Sequence, residues 1–421
     1  MNILMLSSTF PYPPSRGGTE IRTYNLLKYL SQHHLVTLVT QRHTAVTDAE
    51  VEALRSAVTE LVIFPLPEPA RSTNRFVQTV GSLSRFAQAI NQTTPPNVLH
   101  RYSQPMQDWV NQAVTAGNYD VITCEHSVNE IYIHPAFRQS LATIVDVHSS
   151  VYAWTRNHLE MGASLHPWRD RLYLPLLKRY EQRYCQKFSQ IVVTTEEDQQ
   201  ELLKFSPHKP IAVIPNGVDL DLFPYRTHDP SSYDLIFIGA MDASHNIDAA
   251  CFFAREVMPL LRQRYPQATF RIVGARPTPE VQQLSHLPGV IVTGQVDSMV
   301  EELHKSTLAV IPLRTGFGIK NKTLEAMAAG VPVVGSDRAL EGLAVDGDGD
   351  GDGIPLRALR ANTVAEYLTA IERAFEDANL RYHLAQASRI LIEQFYTWER
   401  AGAAYEQVLL NITGKCHRSM S

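Results

Sequence analysis

The sequence predicts an α/β protein built from two doubly wound halves, each around its own parallel sheet. Three observations carry this. Short apolar runs of buried-strand type alternate with helix-periodic segments along the whole chain. A glycine loop follows the first strand, and another lies in a strand–loop–helix–strand unit around Gly316 and Gly318. The alternation restarts at Asp234 after a polar stretch, and 421 residues are enough for two cores.

The elements justify this in order. Asn2–Ser7 is an apolar first strand. The loop STFPYPPSRGGT ends in Gly17 and Gly18, and a helix over 20–30 carries Ile21, Tyr24, Leu27 and Leu30 on one stripe, with Thr19 as its expected N-cap. In an open α/β sheet such a loop lies at the carboxyl ends of the strands, where ligands bind, although a plain turn has the same composition. A strand over 34–40, a helix over 48–59 and a strand over 61–65 follow. Residues 70–115 read as mainly helical, and 119–125 and 142–147 as buried strands. His148 closes the latter, two residues after Asp146; a histidine there suits a catalytic or sugar-contacting role or a satisfied loop position.

The segment 151–188 reads as helical, interrupted near Gly162 and Pro167. Seven basic side chains face three acidic ones, with Trp154, Trp168, Tyr173 and Tyr180 interleaved. A face of this kind docks on an anionic membrane surface or is simply a solvated helix packed on the sheet. A strand over 190–194, a capped helix start at Thr195 and a strand over 211–214 lead to the turn Pro215-Asn216-Gly217-Val218-Asp219. The stretch 228–234 has the composition of a linker.

The second half begins with the strand DLIFI and Gly239, then a loop to Asn246. A helix over 247–264, strands over 268–274 and 290–293 and a helix over 298–306 follow. Next comes LAVIPLRTGFGIKNKTLEAMAAGVPVVGS (308–336): a buried strand, a loop from Arg314 to Ile319, a helix over 321–329, a terminating Gly330 and another strand. A glycine loop feeding a helix N-terminus is an anion site. Lys322 and Glu325, three apart, share one face of that helix. A lysine there can meet a phosphate and a carboxylate can take two sugar hydroxyls; an ordinary exposed ion pair has the same spacing. The run DGDGDGDG (346–353) starts like a calcium loop, but the twelfth position is Arg357 instead of glutamate, so no metal site is expected. Residues 363–413 read as helical.

Composition excludes several function classes. Net charge is −5, which gives no basic field for nucleic acid. No uncharged apolar stretch reaches the ~18 residues of a membrane span. The start MNILMLSSTF reads as a strand and not as a signal peptide. Cys124, Cys185, Cys251 and Cys416 form no metal or redox spacing, so a reduced, cytoplasmic protein without disulfides is expected.

The segments SSTFPYPPSRGGTE, VIPNGVDLDLF, FIGAMDASHNIDA, FRIVGARP, VTGQVDS and PLRTGFGIKNKTLEAMAAGVPVV, in this order and spacing, resemble GT-B glycosyltransferases of the retaining family-4 type, in the subgroup associated with exopolysaccharide and cell-envelope glycans. The resemblance implies two Rossmann-like domains facing each other across a cleft. The acceptor-side domain would span 1–210, with a C-terminal helix over 395–421 packing back on it, and the nucleotide-sugar domain 211–394. It implies that Glu325 holds the nucleotide ribose. The family's partner carboxylate would fall on Phe317, or on Thr315 if the glycines are aligned, and is absent. The family's phosphate-binding Arg and Lys would fall on Ala240 and His245 and are absent too. Lys322 then becomes the first choice for the leaving diphosphate and Arg314 the second. His148 resembles the family's histidine near the donor sugar. Gly17, Gly18, Asn216, Gly239, Gly316, Phe317, Gly318 and Ile319 complete the implied donor-binding set.

The activity implied is transfer of a sugar from a nucleoside diphosphate sugar to an acceptor hydroxyl, with retention and without metal or other cofactor. The acceptor would be a glycan or a lipid-linked group, and the protein would be cytoplasmic, with peripheral contact at the inner membrane face through the basic segment as a further expectation. A nucleotide-sugar 2-epimerase of the same fold and a catalytically silent GT-B scaffold are the alternatives.

Overall fold

The computed structural model describes residues 1–14, 17–67, 93–162, 164, 166–316, 318–347 and 355–419, the last five of these by backbone alone. Most of the expected DGDGDGDG loop (from Asp348 on), Phe317 and much of the expected helix over 70–115 lie outside the described residues. The chain divides into two compact units, Met1–Ile214 with Ala401–Ser421, and Pro215–Arg400.

The first unit is a parallel sheet of strands β1 (Asn2–Ser7), β2 (Leu35–Arg42), β3 (Glu60–Pro65), β4 (Val121–Glu125), β5 (Ala142–Val147), β6 (Gln190–Val193) and β7 (Ile211–Val213). Their order is β3-β2-β1-β4-β5-β6-β7. The middle strands are buried along almost their whole length, as the continuous apolar runs require of a sheet covered on both faces. Its helices are α1 (Gly18–His33), α2 (Asp48–Arg55), α3 (Pro96–Leu99), α4 (Gln104–Ala116), α5 (Val151–Glu160), α6 (Pro167–Lys187) and α7 (Glu196–Leu203).

Several local expectations shift. The first helix starts at Gly18, so Thr19 lies inside it; the N-cap is Gly17, with no side-chain cap bond. The helix expected over 48–59 ends at Arg55, because the sheet claims Thr59: its N–H donates to the Val36 carbonyl (3.0 Å) and its hydroxyl accepts from Val36 N–H (3.1 Å). Strand β7 pairs with β6 and so belongs to the first sheet, beyond the boundary expected at residue 210.

The second unit repeats the plan. Strands β8 (Asp234–Ile238), β9 (Thr269–Val273), β10 (Val290–Gly294), β11 (Leu308–Ile311), β12 (Val333–Gly335) and β13 (Leu359–Arg360) form a parallel sheet in the order β10-β9-β8-β11-β12-β13. The helices are α8 (Ser244–Phe252), α9 (Met258–Arg264), α10 (Pro279–Gln283), α11 (Met299–His304), α12 (Asn321–Ala328), α13 (Val364–Glu376), α14 (Ala378–Phe395) and α15 (Trp398–Ser419). The single helix expected over 247–264 is two helices joined by a π-turn at Phe253–Val257. Pro259 follows it, and the wider turn gives its ring and missing N–H room that a regular helix lacks.

Both sheets reverse direction of growth once, between β1 and β4 and between β8 and β11. At such a switch point the adjoining loops part and leave a crevice at the carboxyl ends of the strands. From Ala401 onward, α15 belongs to the first unit: Tyr405 donates its hydroxyl to Glu125 Oε1 at 3.1 Å, and a Cβ at Gly402 would run into the Tyr29 ring of α1.

Candidate active site

The second unit's switch point is built on backbone that only glycine tolerates. Gly239, at the end of β8, has φ 150°, and Gly274, at the end of β9, has φ 153°. A Cβ at Gly274 would strike the Gly239 carbonyl, so the two turns pack backbone to backbone. A Cβ at Gly239 would lie 2.8 Å from Lys322 Nζ and 2.9 Å from Asn246 Nδ2. The glycine therefore leaves the space into which the Lys322 ammonium reaches from the first turn of α12. Asn246 fixes it there: its amide nitrogen donates to the Ala240 carbonyl (2.8 Å), and its oxygen accepts from Lys322 Nζ. The same ammonium lies 4.7 Å from the centre of the Phe237 ring.

Lys322 and Glu325 lie deep among protein atoms yet keep part of their surface open. Burial pushes the Lys322 pKa down to about 7, against the pull of Glu325 and with a further push from Lys320. Burial raises Glu325 to about 7, against Lys322. A cation and a carboxylate one helical turn apart, both near neutrality, are poorly satisfied by each other alone. A diphosphate beside Lys322 would restore its full charge, and hydroxyls beside Glu325 would do the same for the carboxylate.

The loop ahead of α12 is shaped by Gly316 (φ 108°) and Gly318 (φ 76°). Lys320 pins it, donating to the Gly318 carbonyl and lying 3.4 Å from the buried Glu341. The N-cap residue of α12, Lys320, makes no side-chain cap bond, so the first turn keeps backbone N–H groups for a ligand. Ile319 turns inward and joins the hydrophobic core, which leaves only its backbone for a ligand. Arg314 is held on α8: its Nε lies 2.9 Å from Asp248 Oδ2, a second bond reaches Oδ1, and its guanidinium stacks 5.1 Å from the Phe252 ring. The Asp248 bond raises its pKa further. Asn216 donates to Asn321 Oδ1 at 2.9 Å, fastening the turn after β7 to the start of α12.

The first unit's switch point has a different chemistry. His148 follows β5, with Nδ1 3.4 Å from Thr19 Oγ1 and its ring edge-on to His126, centroids 5.0 Å apart. Burial, and then Arg22, drive its pKa down to about 3, so the imidazole is neutral. His126 is held neutral in the same way, chiefly by burial and then by His148; its Nδ1 accepts from Val128 N–H, which places the proton on Nε2. Beneath them Arg22 of α1 and Asp146 of β5 form a 2.6 Å ion pair that is almost wholly inaccessible. Glu125, buried beside them, is raised to about 8 by burial and by the charge of Asp146. Gly17 is extended (φ −176°), and a Cβ there would meet only the flexible Glu20 carboxylate; a Cβ at Gly18 would meet nothing within 4 Å. Among the described residues, nothing in the fold demands either glycine.

Two family profiles match the chain. One described as Glycosyltransferase Family 4 covers residues 16–222, and one described as Glycosyl transferases group 1 covers residues 232–377. The chain is a group 1 GT-B glycosyltransferase. No curated protein matches its sequence. Among solved structures, sucrose-phosphate synthase from Thermosynechococcus elongatus superposes with TM-score 0.65 at 17% identity, covering 98% of this chain and 99% of that one. Anabaena HepE in complex with UDP gives 0.63 at 16%, covering 98% and 100%. A glycosyltransferase from Rickettsia africae gives 0.60 at 13%, covering 98% of each. At these identities the likeness is one of fold.

Within this glycosyltransferase, the structure brings Gly239 and Lys322 together, with Glu325 one turn on, and ties Arg314 to Asp248. It places His148 in the other unit, and Phe317 is outside the described residues. Sequence reasoning missed Asn246, Lys320 and Asp248 as parts of the site. Asn246 stands in FIGAMDASHNIDA and Lys320 in GIKNK, so both were visible as residues; the contact that gives each its role spans a fold the sequence does not print. Among the described residues, no group of His, Cys, Asp or Glu has the arrangement of a metal site.

Proposed function

We propose that this glycosyltransferase moves a sugar from a nucleoside diphosphate sugar to an acceptor hydroxyl with retention of configuration, in polysaccharide or glycoconjugate synthesis. One observation carries the reading: the Lys322 ammonium lies against Gly239 at the end of the unit's first strand, one helical turn from Glu325. Lys322 takes the departing diphosphate together with the backbone amides of Gly316, Gly318 and Ile319 and the first turn of α12. Glu325 takes the ribose hydroxyls. The charge that develops on the leaving group is thus met by donors already in place, the arrangement that lowers a barrier most. Arg314, braced by Asp248 and Phe252, supports the loop and has an exposed edge for a second phosphate contact.

His148 enters as a neutral hydrogen-bonding group toward sugar or acceptor, since an imidazole with a pKa of about 3 carries no proton to donate as a cation. The reaction needs no metal in this reading, because Lys322 and the amides offset the leaving charge. HepE is described in complex with UDP-glucose, which makes UDP-sugars the first donors to test here. No helix among the described residues is long and apolar enough to cross a membrane. The acceptor is a glycan or a lipid-linked group reached from the cytoplasmic side.

A panel of nucleotide sugars, with and without simple glycan acceptors, tests this. The expected result is acceptor-dependent release of nucleoside diphosphate, unaffected by EDTA, with an α- or β-linkage matching the donor. Release of an epimerised free sugar without acceptor would contradict it and assign a 2-epimerase.

A further inference from the structure

The outer face of α6 is built unlike the rest of the first unit's surface. Positions 168, 171, 172, 175, 178, 179 and 182 recur at helical spacing and are exposed together, while Leu176, Leu177, Tyr180, Tyr184 and Cys185 bury the opposite face. Trp168 is 80% exposed and Leu172 69%; Met161, at the end of α5, is 54% exposed. Trp168 and Leu172, four apart on one face of α6, expose large apolar groups side by side, which marks a surface made for contact.

The charges sort themselves accordingly. Arg183 and Lys187 are turned to the buried Glu130, and Arg156 to Glu201 (3.1 Å). Arg169 pairs with Asp170. Among the described residues no carboxylate pairs with Arg171, Lys178 or Arg179. Arg171 instead lies 5.7 Å from the centre of the Trp168 ring. The stripe is therefore positive on a chain whose net charge is −5. Such a protein is repelled as a whole from an anionic surface and is oriented by its one complementary face.

We propose that this face of α6 docks on an anionic lipid bilayer. Trp168 and Leu172 enter the boundary between headgroups and acyl chains, and Arg171, Lys178 and Arg179 meet lipid phosphates. The inference is independent of which donor the enzyme uses.

Co-sedimentation of the full chain with vesicles tests it. The protein should pellet with phosphatidylcholine vesicles containing phosphatidylglycerol, stay in solution with phosphatidylcholine alone, and be released by high salt. R171A/K178A/R179A should partition on the order of 100-fold more weakly, at about fivefold per charge. W168A/L172A should lose about tenfold while keeping its salt dependence. Both variants should retain the wild-type circular dichroism and donor turnover in vesicle-free buffer. Equal sedimentation with both vesicle types, or a triple variant that partitions like wild type, would overturn the proposal. So would a wild-type dimer in sedimentation velocity that W168A/L172A converts to monomer, which would assign the face to a second copy of the chain.

Discussion

The two units share one strand order around their switch points and fill them with opposite electrostatics. The second unit places half-open ionisable groups there, Lys322 and Glu325, each displaced to about 7. The first unit seals its ion pair, Arg22 with Asp146, beneath the crevice and presents neutral imidazoles above it. The topology provides a crevice in both; the side chains decide what it can hold. Lys322 and Glu325, whose charges burial holds back and whose surfaces stay partly open, are positioned to be completed by a charged ligand. Groups already paired in the core hold shape and offer hydrogen bonds but no charge.

This contrast can be broken by mutation. Lys322→Ala should lower turnover by about 10²–10³, the usual loss when one donor to developing charge is removed, with only a small change in thermal stability, because Glu325 takes up a proton once the cation is gone. Steady-state kinetics and thermal unfolding on one preparation check both halves. Asp146→Ala should do the reverse in its unit: removing the carboxylate of a buried ion pair costs about 3–5 kcal/mol. Hydrogen exchange at β5 compared with β8 would place the loss in the first unit; a loss shared equally would contradict the separation of roles.

pH sharpens the comparison. Affinity for a nucleoside diphosphate should fall as pH rises through about 7, because Lys322 gives up its proton there in the free enzyme. Glu325→Gln removes the carboxylate that holds the Lys322 pKa up, so in this variant the alkaline loss should begin at lower pH. The stability sign is opposite. Between about 7 and the ordinary lysine value of 10.5 the unfolded chain binds a proton that the folded chain does not, so this residue makes stability rise with pH. A calorimetric pH series on wild type and Lys322→Ala separates the two. The smallest effect is expected for His148→Gln, about tenfold on the rate, within the range for a lost hydrogen bond between neutral groups. Its pH–rate profile should not move, because the imidazole is neutral throughout the working range; a shifted profile would show that His148 titrates during turnover.

Much of the fold was legible because both sheets are buried on both faces. Continuous apolar runs such as ATIVDV and LAVI leave little alternative to parallel strands. Boundaries set by distant partners were not legible. Thr59 leaves its helix for a bond to Val36, and β7 is assigned by pairing with β6. The site divides in the same way. Gly239, Lys322 and Glu325 stand out locally, by a glycine after a strand and by helical spacing. Asn246 acts on a lysine 76 positions away, and Asp248 on an arginine 66 away, so their roles depend on the folded sheet. Ile319 shows the converse: it lies in the expected loop, but its side chain completes the core.

The central claim is that the Lys322 ammonium beside Gly239 is the diphosphate contact. Titration calorimetry of wild type and Lys322→Ala with the nucleoside diphosphate selected by the donor panel, and with the parent nucleoside, tests it most directly. Wild type should prefer the diphosphate strongly, and Lys322→Ala should lose most of this preference while binding the nucleoside as before. A variant that keeps the full preference would contradict it.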